Sequence, residues 1–336
     1  MSLPLRPPQN LACRHHRYLE RIEQDQLKKA RDEKRKEMTG NPIAITVAPN
    51  GGRSRSTNEF FVPETPEEIA QEAFECRQAG ASCFHFHARD RDGANSTDAR
   101  LYEKAIKLIR ERCDILIQTT NGVGDRKDPD TGDLLFPTDE QRFPLLHLNP
   151  APDYYGAASA SFDFFHPDGY YLTEATFVNS RRFVREYIEQ VYKRKKNVVE
   201  WEVFGPHSLH RLRRILVEEG IDPAAPYMSF NFPYIPMIFA DFRALMYAID
   251  EAQRLFPNAV RIISGAGERQ FKALAFGIAN DFDGIRVGFE SSRSLPDGSI
   301  ARRNRDLVEA AVNLATSLGR KPATPTEARL LFKIDR

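Results

Sequence analysis

From Asn41 onward, short apolar runs alternate with longer stretches of helical periodicity. The runs are Ala44–Pro49, Cys83–Arg89, Ile115–Thr120, Ala158–Phe164, Val198–Phe204, Tyr227–Phe232, Val260–Gly265 and Ile285–Glu290. Each has the length and composition of a buried strand. Between them, apolar residues recur at helical spacing over Asp98–Arg112, Arg181–Lys195, Leu209–Glu219, Phe242–Leu255 and Phe271–Ile278, and Asn304–Leu318 closes the series. Thr65-Pro66-Glu67-Glu68 reads as a capping box with proline at the first helical position, followed by Ile69, Ala73 and Cys76 on one face. Strand–helix alternation predicts a parallel sheet. Eight strands in one domain-sized stretch favour a closed (β/α)8 TIM barrel over an open doubly wound sheet. No G-x-G-x-x-G opens a helix; Ser264-Gly265-Ala266-Gly267 follows a strand but is a short and unspecific phosphate signal.

Residues 1–41 read differently, as an N-terminal extension ahead of a barrel domain over 42–336. Leu3 to Pro8 is proline-rich, and residues 14–37 form a charged helical pattern with a thin apolar stripe of Leu19, Ile22 and Leu27. Acids interleave with the bases, so a solvated helix is expected rather than a nucleic-acid tail; an arm packing on a neighbouring subunit is the alternative.

Charge narrows the function classes. With 48 Lys+Arg against 47 Asp+Glu, the formal net charge is +1, which removes the global basic field that nucleic acid would need. No apolar run reaches the ~18 residues of a membrane span, and the N-terminus lacks the apolar core of a signal peptide. Cys13, Cys76, Cys83 and Cys113 form no C-x-x-C pair, which fits a cytoplasmic protein with reduced thiols.

The densest chemical signal is Ser82-Cys83-Phe84-His85-Phe86-His87-Ala88-Arg89. Residues i and i+2 of a strand share a face, so His85 and His87 converge at the C-terminal end of the second strand, as a divalent metal requires. A core strand that merely holds two histidines would bury imidazoles without partners, at a cost. In a closed barrel the second and eighth strands both flank the first. Arg286, Gly288 and Glu290 alternate along the eighth, making Glu290 a third metal ligand and leaving Arg286 one layer deeper. On the fifth strand Glu200 and Glu202 share a face, suggesting substrate contact or charge balance for Arg286. Gln118-Thr119-Thr120-Asn121-Gly122 ends the third strand with hydroxyl and amide groups, for substrate or for strand capping. Cys83 reads as a small core residue and His207 as a cap of the next helix.

These pieces resemble the β-keto acid cleavage enzymes from about Pro42 to Arg329. The resemblance rests on Ile45-Thr46-Val47-Ala48, Pro66-Glu67-Glu68-Ile69-Ala70, Ala79-Gly80-Ala81, His85-Phe86-His87-Ala88-Arg89, Glu202-Val203-Phe204 and Gly265-Ala266-Gly267. It continues with Arg286-Val287-Gly288-Phe289-Glu290, Asn304, Leu307-Val308, Leu318-Gly319-Arg320 and Ala323 to Arg329. It implies a TIM barrel holding Zn2+ on His85, His87 and Glu290. It also implies condensation of a β-keto acid with acetyl-CoA, giving acetoacetate and a CoA thioester. By the same resemblance Arg286 is the catalytic arginine, Thr120 stands where the family has a serine near the keto acid, and Glu202 is at a substrate-recognition position. Thr120 and Glu202 are thus expected to act in catalysis, and Asn121, Glu200 and Ser291 to join them around the substrate. A homo-oligomer, dimer or tetramer, is expected.

Three departures from the family pattern stand out. Ser291 and Ser292 follow Glu290 where an acid and an amide are usual, so the general base must be another group. Glu268 then Arg269 follow the Gly-x-Gly, and Arg53 stands where the first-strand loop usually carries an acid. The long segment Gly122–Pro152 has the turn signals of a lid. Two alternatives stay open: a metal-dependent amidohydrolase-like hydrolase, whose His-x-His would belong on the first strand, and a non-catalytic zinc-containing ligand-binding barrel.

Overall fold

The computed structural model describes residues 40–52, 55–165, 171–235 and 238–334. The expected helix over 14–37, the proline-rich segment before it and Arg53 lie outside the described residues. Among the described residues the strands, numbered in chain order, are β1 (Ala44–Val47), β2 (Cys83–His85), β3 (Leu116–Thr119), β4 (Arg126–Lys127), β5 (Leu134–Leu135), β6 (Tyr154–Ala158), β7 (Phe162–Phe165), β8 (Tyr171–Phe177), β9 (Val199–Glu202), β10 (Ser229–Tyr234), β11 (Val260–Gly265) and β12 (Gly284–Val287). The order β1-β2-β3-β6-β9-β10-β11-β12, back to β1, closes a parallel eight-stranded barrel, a TIM barrel. Thr46 of β1 pairs with Cys83 on one side and Arg286 on the other, which brings β2 and β12 to either flank of β1.

Helices cover the outside: α1 (Pro66–Gln78), α2 (Ala99–Arg112), the short α3 (Asp139–Arg142), α4 (Arg181–Tyr187), α5 (Pro206–Glu218), α6 (Phe242–Leu255), α7 (Arg269–Ala279), α8 (Asn304–Ser317) and α9 (Pro325–Phe332). The capping box of α1 forms as expected: the Thr65 hydroxyl accepts from Glu68 N at 3.2 Å, and Glu68 Oε2 accepts from Thr65 N at 2.9 Å. Every residue of β1, β2, β3, β6 and β12 is buried, because helices face one side of each strand and the barrel interior the other.

Three expectations need correction. The fourth barrel strand is Tyr154–Ala158, four residues before the run beginning at Ala158. That run instead supplies β7, which pairs antiparallel with β8 in a hairpin outside the barrel. Phe162 to Phe165 carries the stronger apolar signal, while Gly156, Ala157 and Ala158 give a barrel strand little hydrophobicity to detect. The helix expected to run to Lys195 is α-helical only to Tyr187 and continues as a π-helical segment, Ile188–Arg194. Asn304–Leu318 does not close the chain: α9 follows, with its own box on Thr324 and Glu327, and packs Phe332 on Tyr154 at the N-terminal end of the barrel.

Candidate active site

At the C-terminal end of the strands, two loops depart from strand geometry to build the site. β2 ends at His85 and β12 at Val287, so neither His87 nor Glu290 lies on a ladder, and strand alternation does not carry them inward. His87 is placed by Asn50 of the β1 loop: its N–H donates to Asn50 Oδ1 at 3.0 Å, and Asn50 Nδ2 donates to the His87 carbonyl at 2.8 Å. Glu290 is placed by a turn at Gly288, whose φ of +137° suits glycine and where a Cβ would meet the Ala48 carbonyl. Phe289 N donates to Asn304 Oδ1 at 2.9 Å and Glu290 N to Ala48 O at 3.1 Å, fixing the turn from below. Gly51, at φ +47°, leaves the room Glu290 occupies: a Cβ there would come within 2.5 Å of Glu290 Cγ.

The result is a tight cluster. His85 Nε2 lies 3.3 Å from His87 Nε2 and 3.2 Å from Glu290 Oε2, and His87 Nε2 lies 3.6 Å from Glu290 Oε1. One ligand atom from each residue falls within 4.8 Å of the others, so the three can hold a metal ion. The donor chemistry fits. Gln118 Oε1 stands 2.7 Å from His85 Nδ1 and accepts its proton, which leaves the Nε2 lone pair aimed at the cluster. Burial, reinforced by Arg286, pushes the His85 imidazole down to about 4, so it is the neutral form that faces the cluster at neutral pH.

Arg286 is buried beneath this group. Its Nη2 lies 2.7 Å from Glu290 Oε2 and its Nη1 3.4 Å from Glu202 Oε1. The guanidinium thus grips one member of the cluster while facing Glu202. Burial would raise the Glu290 carboxyl, but Arg286 outweighs it and holds it well below the usual carboxylate range. Glu200 lies deeper. Burial pushes it up to about 7, partly offset by Arg286, and it is absent from the cavity wall; of its two expected parts, charge balance is the one its position serves. Burial also raises Glu202, which is partly exposed and borders the cavity.

Above the cluster is a cavity of about 430 Å³ bordered by His87, Thr120, Asn121, Glu202, Arg286, Glu290 and Ser291. Thr120 Oγ1 accepts from Gly122 N at 3.2 Å, so its own proton is available to a ligand. Asn121 is committed to the wall, its Oδ1 accepting from Ala158 N at 3.1 Å and its Nδ2 donating to Asn179 at 2.9 Å. Asn50 and Asn304 are positioning residues that the motif reading left without a role, and Gln118, expected at the substrate rim or as a strand cap, positions His85 instead. Their signal was faint, a polar residue in or beside an apolar strand. Asn231 and Ser264 also line the cavity, joined by a 3.1 Å hydrogen bond.

The chain is 29% identical over 295 residues to the 3-keto-5-aminohexanoate cleavage enzyme of Fusobacterium nucleatum, covering 88% of this chain and 98% of that one. It is 26% identical over 311 residues to the 3,5-dioxohexanoate:acetyl-CoA acetone transferase of Paraburkholderia graminis, covering 88% and 97%. Among solved structures, the binary complex of ObcA with oxaloacetate superposes with a TM-score of 0.65 at 17% identity over 82% of this chain and 68% of that one, a likeness of fold. The family model of the beta-keto acid cleavage enzymes matches residues 42–334, and the chain belongs to that enzyme family.

Proposed function

We propose that this site binds zinc on His85, His87 and Glu290 and converts a β-keto acid and acetyl-CoA into acetoacetate and a new acyl-CoA. The observation that carries the reading is the three-ligand cluster held against Arg286 on the floor of the cavity. Support for the co-substrate comes from the Paraburkholderia relative, named for its use of acetyl-CoA. A second cavity of about 410 Å³ adds to it: this shares Ser291 with the first and is bordered by Arg55 and Arg293, cations suited to the phosphates of CoA. Family membership removes the support for the amidohydrolase and non-catalytic alternatives.

The net reaction joins C2 of the keto acid to the acetyl carbonyl, breaks the C2–C3 bond and moves the remaining acyl group to the CoA sulfur. The proton removed from C2 in making one bond is returned there when the other breaks. A zinc ion on these ligands supplies Lewis-acid polarisation of the keto oxygen. Arg286 stabilises the negative charge that develops on the substrate, in a buried site where such interactions are strong. With serine at 291, Glu202 is the group we assign to proton transfer: it faces the cavity, touches Arg286 and has its basicity raised by burial. The Thr120 hydroxyl donates to the bound acid.

The test is metal analysis of the purified protein joined to a β-keto acid panel with acetyl-CoA. Acetoacetate is expected only when metal, keto acid and acetyl-CoA are all present. Hydrolysis of an amide or lactone at a comparable rate without CoA would overturn the assignment.

A further inference from the structure

The cavity is polar on its floor and apolar on the opposite wall. The floor groups are those already described. The outer wall is an unbroken aromatic series: Phe136 and Phe177 have ring centroids 5.2 Å apart, Phe177 and Phe162 5.4 Å, and Phe162 stacks on Phe204 at 4.1 Å with 15° between planes. Val123 and Ile238 also border the cavity. Phe162 and Phe177 are paired residues of the β7–β8 hairpin, and Phe136 follows β5, so most of this wall stands on structure added above the barrel. Phe136, Phe162 and Phe204 are only half-buried although ring-stacked, and their remaining surface faces the cavity. The barrel does not need such a wall for closure, since its own core lies below.

The carboxylate and keto oxygens of a β-keto acid must meet Arg286 and the metal cluster at the floor. The rest of the molecule then points at the phenylalanines. An apolar chain gains there by burial, whereas a charged end would be desolvated without a partner. Among the described residues lining the cavity, the one carboxylate outside the floor is Asp125, which receives Asn95 Nδ2 at 2.6 Å beside Gly52.

Resting on the proposed β-keto acid reading, we infer that the substrate is a β-keto acid with an extended apolar or aromatic side chain, selected by the Phe136–Phe177–Phe162–Phe204 wall. A cavity of this size lies in the range of small-molecule pockets, roughly 300–1,000 Å³, and has room for more than the head group.

The experiment uses the full-length, zinc-loaded chain. Rates with acetyl-CoA are measured for 3-oxopentanoate, 3-oxohexanoate, 3-oxooctanoate, 3-oxoadipate and 5-amino-3-oxohexanoate. Binding of the same acids without acetyl-CoA is measured by calorimetry. Each added methylene should raise kcat/KM and affinity about fourfold, the factor for burying one such group. 3-Oxooctanoate should exceed 3-oxoadipate and 5-amino-3-oxohexanoate by at least about a hundredfold, from the chain gain compounded with the cost of burying a charge. Phe162→Ala should lose about tenfold for 3-oxooctanoate and little for 3-oxopentanoate. Preference for either charged acid, in turnover or in binding, overturns the inference and leaves the family reaction standing. Selective binding of 3-oxooctanoate with no turnover of any acid supports the apolar wall and overturns the proposed reaction instead.

Discussion

At the N-terminal end of the barrel, Arg320 is 3% exposed and donates to three backbone carbonyls, those of Asn41, Pro42 and Phe282, at 3.2, 2.8 and 2.7 Å. At the C-terminal end, Arg286 is 4% exposed and meets two carboxylates. Both arginines are buried, but their partners differ in kind. Carbonyls are neutral and fixed by the strands, so the lower arginine ends in a closed arrangement, as do Asp153 with Arg329 and Asp283 with Arg261 N. The upper arginine faces Glu290 and Glu202 with Glu200 beneath. Glu290 alone balances the guanidinium, and whatever charge Glu200 and Glu202 carry, each raised by burial, is surplus. One end of the barrel is closed by hydrogen bonds to its own backbone and reads as stability. The other is complete only with something added and reads as chemistry.

The sharpest way to break this comparison is to remove the upper histidines. The double substitution His85→Ala with His87→Ala should abolish binding of about one zinc per chain and all metal-dependent turnover, with circular dichroism unchanged. Metal analysis decides it: full occupancy in that variant would refute the cluster. The matching change below is Arg320→Met, which leaves three buried carbonyls short of donors. It should cost about 3 kcal/mol of stability in denaturant unfolding while leaving kcat and metal content of the folded protein unaltered. Loss of metal from Arg320→Met would mean that the two ends are not independent.

How much of this contrast could be read in advance follows from where each residue finds its partners. Barrel strands buried on both faces leave continuous apolar runs, so seven of the eight were visible where they lie; the fourth failed because Gly156, Ala157 and Ala158 are too small to announce burial. The grouping of His85, His87 and Glu290 follows from the sequence for a partly mistaken reason. Alternation was extended two residues past the end of β2 and three past the end of β12, whereas the loop turns actually deliver the side chains. The hydrogen bonds that aim them escaped altogether. Asn304 reaches the β1 loop across 255 residues of sequence and Asn50 reaches His87 across 37, and their partners are mostly backbone atoms that carry no residue signature. The capping box of α9 was legible in Thr324-Pro325-Thr326-Glu327, yet it had been absorbed into a motif and not read as a helix start. The aromatic wall was missed because its four phenylalanines lie far apart along the chain and meet only once the hairpin folds over the barrel mouth.

A smaller change tests the upper arginine by itself. Arg286→Lys keeps the charge but loses the planar fork that reaches Glu290 and Glu202 together. It should lower kcat/KM at least about tenfold, roughly 1.4 kcal/mol. Because Arg286 also grips Glu290, metal affinity should weaken modestly without being lost. An unchanged kcat/KM would place the guanidinium with the structural arginines of the lower end.

The smallest effect is expected at Ser291. Its N–H closes the turn on the Gly288 carbonyl at 3.0 Å, and its side chain borders both cavities. The turn needs only the backbone, so Ser291→Ala keeps Glu290 in place. If Glu202 moves the proton, the alanine variant should retain kcat/KM within about twofold, roughly 0.4 kcal/mol. Ser291→Asp adds a carboxylate beside the cluster and returns the family's acid to its usual position. It should tighten metal binding by adding negative charge, and raise turnover only where Glu202 is poorly aligned for the substrate, a difference to be read across the keto acid panel. Complete loss in Ser291→Ala together with full activity in Arg286→Lys would exchange the two roles: the serine would carry the chemistry, and the arginine would merely fill the barrel, as Arg320 does at the other end.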